Sequence, residues 1–292
     1  MEEKLKTFSN SKKNAEKKIK IGGAVAILGA ILFVGLGMSG ISGIGFIGLP
    51  MIVFGVIYLG LGSASFSKLG QRFKTEVLTD LIASFVDDGK FIPEQGLSMS
   101  TVYQTEFLKP ADRSHTEDYL SGSIDGVRFE SSDVRLEERH VEHTKNGTRT
   151  YYETYFLGRI FRFDFNKSFD GYLQVLERGG PVSKRKYGKV KLESVQFNKK
   201  FKTFTTNEHS AFYVLTPHFM ESLMNFEQGN KGNVSFSFID NHLFIGLNNF
   251  RDTFELKMFK ELNMDSFKEF EKEIGVVKEV ISELKLNRSI YK

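Results

Sequence analysis

The sequence predicts an α+β protein: an N-terminal two-helix transmembrane hairpin, then a mainly antiparallel β domain with flanking amphipathic helices. Three observations predict it. No charged residue occurs from Ile21 to Ser67. Beyond about Tyr119, apolar residues recur at every second position, as in half-buried strands. Near the C-terminus, Phe267, Phe270, Ile274, Val277, Ile281 and Leu284 recur at three and four, as on one face of a helix.

The uncharged stretch is the first element. As one helix it would be about 70 Å long, far beyond a hydrocarbon core of about 30 Å. Two crossings fit, near Ile21–Met38 and Ile44–Phe66, reversing through Ser39-Gly40-Ile41-Ser42-Gly43. Helices are the form expected because lipid leaves every backbone polar group to be paired internally. Small residues four apart would let the helices approach: Ala26 and Ala30, Gly35 and Ser39, Gly60 and Ala64. Pro50 either bends the second span or marks a later helix start. Residues 1–20 carry seven lysines and three glutamates, and Lys68, Arg72 and Lys74 follow the second span. Both flanks therefore favour the cytoplasmic side, with the connecting loop outside. The rivals are a signal peptide followed by one anchor and a hairpin buried in a soluble protein. A signal peptide has an apolar core of about 7–15 residues.

Leu69, Phe73, Val77, Leu81 and Phe85 continue the helical spacing, giving an amphipathic helix over Lys68–Val86 that lies on lipid or packs on the domain. Asp87-Asp88-Gly89 is a stop signal, and residues 89–117 read as a connector or a small element at the domain's edge. Asp125-Gly126 marks a hairpin between Tyr119–Ile124 and Val127–Glu137. Lys145-Asn146-Gly147 marks another reversal, before an aromatic strand over Tyr151–Phe165. In it Phe161, Phe163 and Phe165 face a core while Arg162 and Asp164 face water. Phe169–Leu176 reads as a further strand, residues 177–189 as an exposed loop, and Lys189–Phe197 and the residues around Phe204 as returns to the sheet. Thr216-Pro217 signals a helix N-terminus, with the helix over Pro217–Phe226. Val234, Phe236 and Phe238, then Leu243, Ile245 and Leu247, read as two strands of a hairpin reversing at Asp240-Asn241. The organisation is a basic cytoplasmic tail (1–20), a transmembrane hairpin (21–66), a juxtamembrane helix and connector (67–117) and a cytoplasmic strand-rich domain with a C-terminal helix (118–292). A small barrel or curved sheet fits, and a pleckstrin-homology-like arrangement is one option by analogy.

Charge and composition narrow the chemistry. The net charge of +4 is carried by the first 20 residues alone; residues 68–292 hold 33 basic and 33 acidic side chains. The domain thus lacks the overall cationic field expected for nucleic-acid binding. With no cysteine there is no disulfide, thiolate nucleophile or sulfur metal site. No short catalytic or phosphate-binding motif is present, and no catalytic residue, cofactor or metal ligand is assigned. His140 and His143 are three apart, and so point to opposite faces of a strand. His115, His209, His218 and His242 have no local partner pattern. The adjacent pairs Glu137/Glu138 and Asp87/Asp88 read as surface charge. Arg178, Lys184, Arg185, Lys186 and Lys189 form the one cationic loop. It is a solvated loop, a contact for anionic lipid headgroups or a protein, or a site for another polyanion.

Several patches occur in order along the chain. They are Ser121–Val127 (SGSIDGV) leading into Arg135-Leu136-Glu137, Phe156–Lys167 (FLGRIFRFDFNK), Leu215–Met220 (LTPHFM) and Val234–Ile245 (VSFSFIDNHLFI). With the helical pair, they resemble a bacterial family of uncharacterised membrane proteins, domain of unknown function 3137. The resemblance implies a bacterial membrane location and a shared domain, and supplies no reaction or catalytic set. The leading expectation is a membrane-anchored interaction or scaffold protein in the bacterial cell membrane. Its partners would be the lipid bilayer and a membrane or cytoplasmic protein, peptide or lipid. The alternative is an enzyme acting on a membrane-proximal substrate. A transporter subunit fits less well, because neither span contains a charged residue. Oligomeric state is not legible.

Overall fold

The computed structural model describes residues 2–38, 42–145, 147–179 and 187–286. It divides into two compact units, Met1–Leu78 with Glu255–Phe270, and Thr79–Phe254 with Glu271–Lys292.

The first unit is built on two long antiparallel helices, α1 (Glu2–Met38) and α2 (Ser42–Phe73), followed by a π-helical turn over Lys74–Leu78. Both helices are long and apolar enough to cross a membrane. The lysines before Ile21 are themselves helical. Pro50 lies inside α2 without ending it.

The close contact between the helices repeats every seven residues, not every four. Gly48, Gly55 and Gly62 are buried on α2 and face Gly22, Ala26, Gly29 and Ile19 of α1. A Cβ on Gly55 would stand 2.5 Å from the Ala26 nitrogen, on Gly48 2.5 Å from the Gly29 oxygen, and on Gly62 2.8 Å from the Ile19 nitrogen. Here backbone touches backbone, the approach that small residues permit in lipid. Gly35 and Gly60, expected at the contact, have nothing within 4 Å of a would-be Cβ. The reason is geometric: two antiparallel helices that supercoil left-handedly meet at a 3.5-residue period. The outward residues are apolar, with Ile27 64%, Ile31 62%, Phe54 60% and Leu61 57% exposed.

Towards the N-terminus of α1 the same seam continues as Leu5, Phe8, Lys12, Ala15 and Ile19, spaced three and four. Large rings replace glycine here: Phe8 meets Phe73 at 5.9 Å, and Phe73 meets Phe270 at 5.3 Å. Lys12 is 3% exposed at a seam position. Its ammonium pairs with Glu16 and donates to the Lys260 carbonyl at 2.6 Å. Lys74, buried in the π turn, pairs with Glu255.

The second unit is a seven-stranded antiparallel sheet. It contains α3 (Thr79–Ala83), β1 (Asp87–Ile92), α4 (Met99–Gln104), β2 (Arg113–Ile124), β3 (Val127–Thr144), β4 (Gly147–Glu177), β5 (Gly188–Val190), α5 (Val195–Lys200), β6 (Phe201–Thr205), α6 (Glu208–Val214), α7 (Pro217–Gly229) and β7 (Asn233–Asn248). The last helix, α8 (Met264–Glu283), spans the division between the units.

Asp125 (φ 51°) and Gly126 (φ 78°) are both left-handed, as the tight turn between β2 and β3 requires. Of the two readings of residues 89–117, structured elements are what form: part of the edge strand β1, then α4 and the start of β2. Two segments expected as separate strands are one. β4 runs for 31 residues, and pairs first with β3 and then with β6 along one edge. The expected hairpin at Asp240-Asn241 is also absent. β7 is continuous because both of its halves pair with β4: Leu243 opposes Phe163, and Phe238 opposes Leu173. Asp240, at φ 53°, kinks β7 beside the bulge in β4 between Asp164 and Phe169 instead of reversing it. Of the Lys145–Gly147 reversal, Asn146 lies outside the described residues, as do Ser39–Ile41 of the hairpin turn.

Both sheet faces are covered, which is why alternation is poor in parts of the sequence. On one face Val134, Leu136, Phe156, Ile160 and Phe244 pack with Leu97, Val102, Phe107 and Leu108. On the other, Phe226 meets Phe236 at 6.0 Å and Phe219 meets Phe238 at 5.9 Å, bringing α7 onto β7. Thr216 caps α7 by accepting from the Phe219 amide at 3.3 Å.

This second face also buries an ion pair. Arg159 is 4% exposed and Asp133 2%. The guanidinium donates to Asp133 Oδ1 at 2.9 Å, to Ser131 Oγ at 3.2 Å and to the Asp118 carbonyl at 2.8 Å, and lies 4.8 Å from the Phe254 ring centre. Asp133 accepts further from the Thr253 amide at 2.6 Å and from its hydroxyl.

Two consequences are measurable. Gly55→Val should break the hairpin, seen as loss of the monodisperse full-length protein in detergent, whereas Gly60→Ala should be neutral or gain up to about 1 kcal/mol of helix stability. Arg159→Met should cost about 3–5 kcal/mol, because it strands a buried carboxylate; removing Asp133 as well should restore part of that, in a double-mutant denaturation cycle.

Candidate functional site

Alternation along β4 sends Arg159, Phe161 and Phe163 to one face and Ile160, Arg162 and Asp164 to the other. Hydrogen-bonded register then decides what Arg162 meets: Glu130 on β3 and Phe244 on β7. Asp164 likewise opposes His242. Beside these residues lies a recess of about 450 Å³ lined by Asp88, Tyr119, Ser121, Arg128 and Glu130, among others.

The charged groups of this recess are organised around one guanidinium. Arg162 donates to Glu130 at 2.7 Å and to His242 Nε2 at 2.9 Å, while its Nε is buried without a partner among the described residues. Tyr119 donates its hydroxyl to the second Glu130 oxygen at 3.0 Å. Burial first, then the neighbouring Glu130 charge, raises the Tyr119 pKa, so the phenol stays a donor.

The imidazole has a definite state. A guanidinium is always protonated and only donates, so His242 Nε2 must accept and the ring proton sits on Nδ1. That nitrogen lies 3.5 Å from Asp164 Oδ1. Burial and then the Arg162 charge push the His242 pKa below its ordinary value, outweighing the opposing pull of Asp164 and other carboxylates. A neutral ring with Nε2 already occupied is a positioned acceptor and not a free base. Arg128 and Arg162, set against Asp88, Glu130 and Asp164, give the recess both charge signs. With the hydroxyls of Ser121 and Ser123, it suits a polar ligand that carries both.

The other residues singled out in the sequence lie elsewhere. Arg178 is exposed, with its guanidinium on the Asn198 carbonyl at 2.9 Å. Lys189 is exposed on β5, opposite Phe204. Lys184, Arg185 and Lys186 lie outside the described residues. His140 stacks on Tyr151 at 5.2 Å and sits 3.3 Å from Glu153, whereas His143 meets Thr148 at 3.1 Å. His218 meets Lys285. Sequence reading sent Arg162 and Asp164 to water and gave His242 no partner. The only local signal was their alternation on strands; their convergence depends on register.

A family model described as a protein of unknown function, DUF3137, matches residues 154–286. The match takes in Arg159, Arg162, Asp164 and His242 and stops short of Tyr119 and Glu130. No curated protein matches the chain. Among solved structures, the crystal structure of the mycobacterial trehalose monomycolate transport factor A, TtfA, aligns over 74% of this chain and 95% of its own, at 8% identity and a TM-score of 0.39.

The His242 state is checkable by NMR: its imidazole should titrate below the ordinary midpoint of about 6.5, and Arg162→Gln should move that midpoint upward. Because the folded pKa is depressed, the stabilisation from the neutral ring is present above about pH 6.5 and is lost as pH falls through the folded midpoint. A midpoint at or above 6.5 in the unsubstituted protein contradicts the assignment.

Proposed function

We propose that the chain is a membrane-anchored interaction or scaffold protein. It spans a bacterial cell membrane twice, keeps both termini in the cytoplasm and presents its sheet domain to a protein, peptide or lipid headgroup at the membrane surface. The observation that carries the anchor is the hairpin itself. Its inner seam is closed by glycines, while outward side chains such as Ile27, Ile31, Phe54 and Leu61 are apolar and exposed. A soluble protein would have to cover that surface; a bilayer is its natural solvent. The lysines at 12–20 and 68–74 support the cytoplasmic side for both ends.

The recess supports recognition over chemistry. Arg162, Glu130, Tyr119 and His242 are already hydrogen-bonded to one another, so they hold a shape and a charge pattern. Arg128, Asp88 and the serine hydroxyls complete a polar lining for a ligand of mixed charge. A second reading, an enzyme acting on a membrane-proximal substrate, draws on the same convergence of ionisable groups. It would require Arg162 to release His242 before the ring could move a proton.

Topology gives the direct test, helped by the absence of native cysteine. Single cysteines at Asn10, Ser42 and Ser114 should react differently with a membrane-impermeant maleimide. Ser42→Cys should label in intact cells, and the other two only after permeabilisation. Labelling of Ser114→Cys from outside overturns the orientation; recovery of the full chain in the detergent-free soluble fraction overturns the anchor.

A further inference from the structure

The segment from Leu256 to Leu262 carries two exposed apolar side chains with no apolar cover: Met258 is 42% and Phe259 51% exposed. It is not a loose loop. Leu256 and Leu262 are buried at its two ends, 7% and 6% exposed. Between them the backbone is fastened to α1 twice. The Phe259 amide donates to Glu16 at 2.7 Å, and Lys12 donates to the Lys260 carbonyl at 2.6 Å. Phe259 holds φ at 61°, a left-handed backbone that a bulky residue rarely adopts. Its ring lies 4.9 Å from the Lys20 ammonium.

These contacts set the level of the ring along the hairpin. Lys20 is the last charged residue before the uncharged run that begins at Ile21. The seam pairs Gly62 with Ile19, and Gly22 with Leu59 and Gly55, so Lys20 stands level with Leu59–Leu61 of α2. From Ile21 to Met38 the helix rises about 27 Å, close to one hydrocarbon thickness. Phe259 therefore lies at the cytoplasmic rim of that layer, where an aromatic ring between apolar and wet surroundings is most stable. The positive charge at this level comes from α1: residues 12–20 hold five lysines against one glutamate, with Lys17 and Lys20 exposed, Lys12 buried on Glu16 and Lys13 3.6 Å from Glu261, whereas Lys257 and Lys260, which flank the two apolar side chains, both pair with Glu269.

We propose that the Lys257–Glu261 turn is a third membrane contact. Met258 and Phe259 dip into the headgroup and upper acyl region of the bilayer that the hairpin spans, and the exposed Lys17 and Lys20 of α1 meet anionic phosphates. This rests on the hairpin being membrane-inserted. It goes further by assigning a lipid-binding role to a segment more than 180 residues along the chain from the second helix. The occupant is the anionic phospholipid surface, because the exposed Met258 and Phe259 side chains lie level with the rim of the apolar span and beside the exposed lysines of α1.

The chain has no tryptophan, so a single introduced one reports alone. Phe259→Trp, Val53→Trp and Asn10→Trp would each be made in the full chain and reconstituted into phosphatidylcholine vesicles containing phosphatidylglycerol. Lipids brominated near the glycerol end of the acyl chain should quench Phe259→Trp roughly two-fold, with blue-shifted emission. Val53→Trp should be quenched more by deep bromines, and Asn10→Trp by neither. If Val53→Trp is quenched while Phe259→Trp and a companion Met258→Trp are not, the third contact is overturned and the anchor stands. If Val53→Trp is also unquenched, both readings fail together.

Discussion

A β-strand has only two edges, and the sheet domain is organised by how β4 shares out its own. One edge is taken by β3 over Gly147–Phe163 and then by β6 over Leu173–Glu177; the other is taken by β7 from Gly158 to Leu176. No shorter strand could serve both sets of neighbours. Where β4 is buried, its backbone donors and acceptors must be paired, and this sharing is how they are. The kinks at Asp240 and between Asp164 and Phe169 follow from it, since two strands that stay paired through a bend must bend together.

The period-two pleat of β4 then separates two guanidiniums with different roles. Arg159 points into one covered face, where Asp133, Ser131 and the Asp118 carbonyl satisfy it and the Phe254 ring lies against it. A charge buried so deeply is tolerated only when fully paired, so this network ties β2, β3, β4 and the Thr253 segment into one arrangement. Arg162, three residues on, points to the opposite face at the rim of the apolar core. There it gathers Glu130, Tyr119 and His242 beside an open recess. The same residue type is structural on one face and site-forming on the other. The difference lies in what covers each face, not in the side chain.

The helical hairpin obeys a parallel rule with different atoms. Where both helices are uncharged, glycines let the backbones touch, and the helices gain dispersion contact along the seam. Where lysines appear on α1, the seam changes to Phe8, Leu69 and Phe73, and a buried Lys12 joins it. A polar group at such a seam position fixes register at a cost in stability. Here its hydrogen bonds also fasten the Lys257–Lys260 turn to α1.

By itself the sequence determined what local physics can determine. Forty-seven uncharged residues set two long apolar helices. Asp125-Gly126 set a hairpin because its turn needs two left-handed residues, and Thr216-Pro217 set a helix start through a cap. Only the tertiary structure decided which residues meet. The turn at Thr144 and Gly147, continued without interruption, would set Glu130 opposite Phe161 and Asp133 opposite Gly158. One bulge between Leu136 and Glu137 shifts the register by a residue, so that Glu130 meets Arg162 and Asp133 meets Arg159. A one-residue slip exchanges the faces of a strand, so the buried ion pair and the recess both hang on a backbone irregularity that no residue pattern announces. The glycine seam likewise needed a partner: seven residues are two turns of helix, and only the supercoiling of two chains makes that period the one that matters.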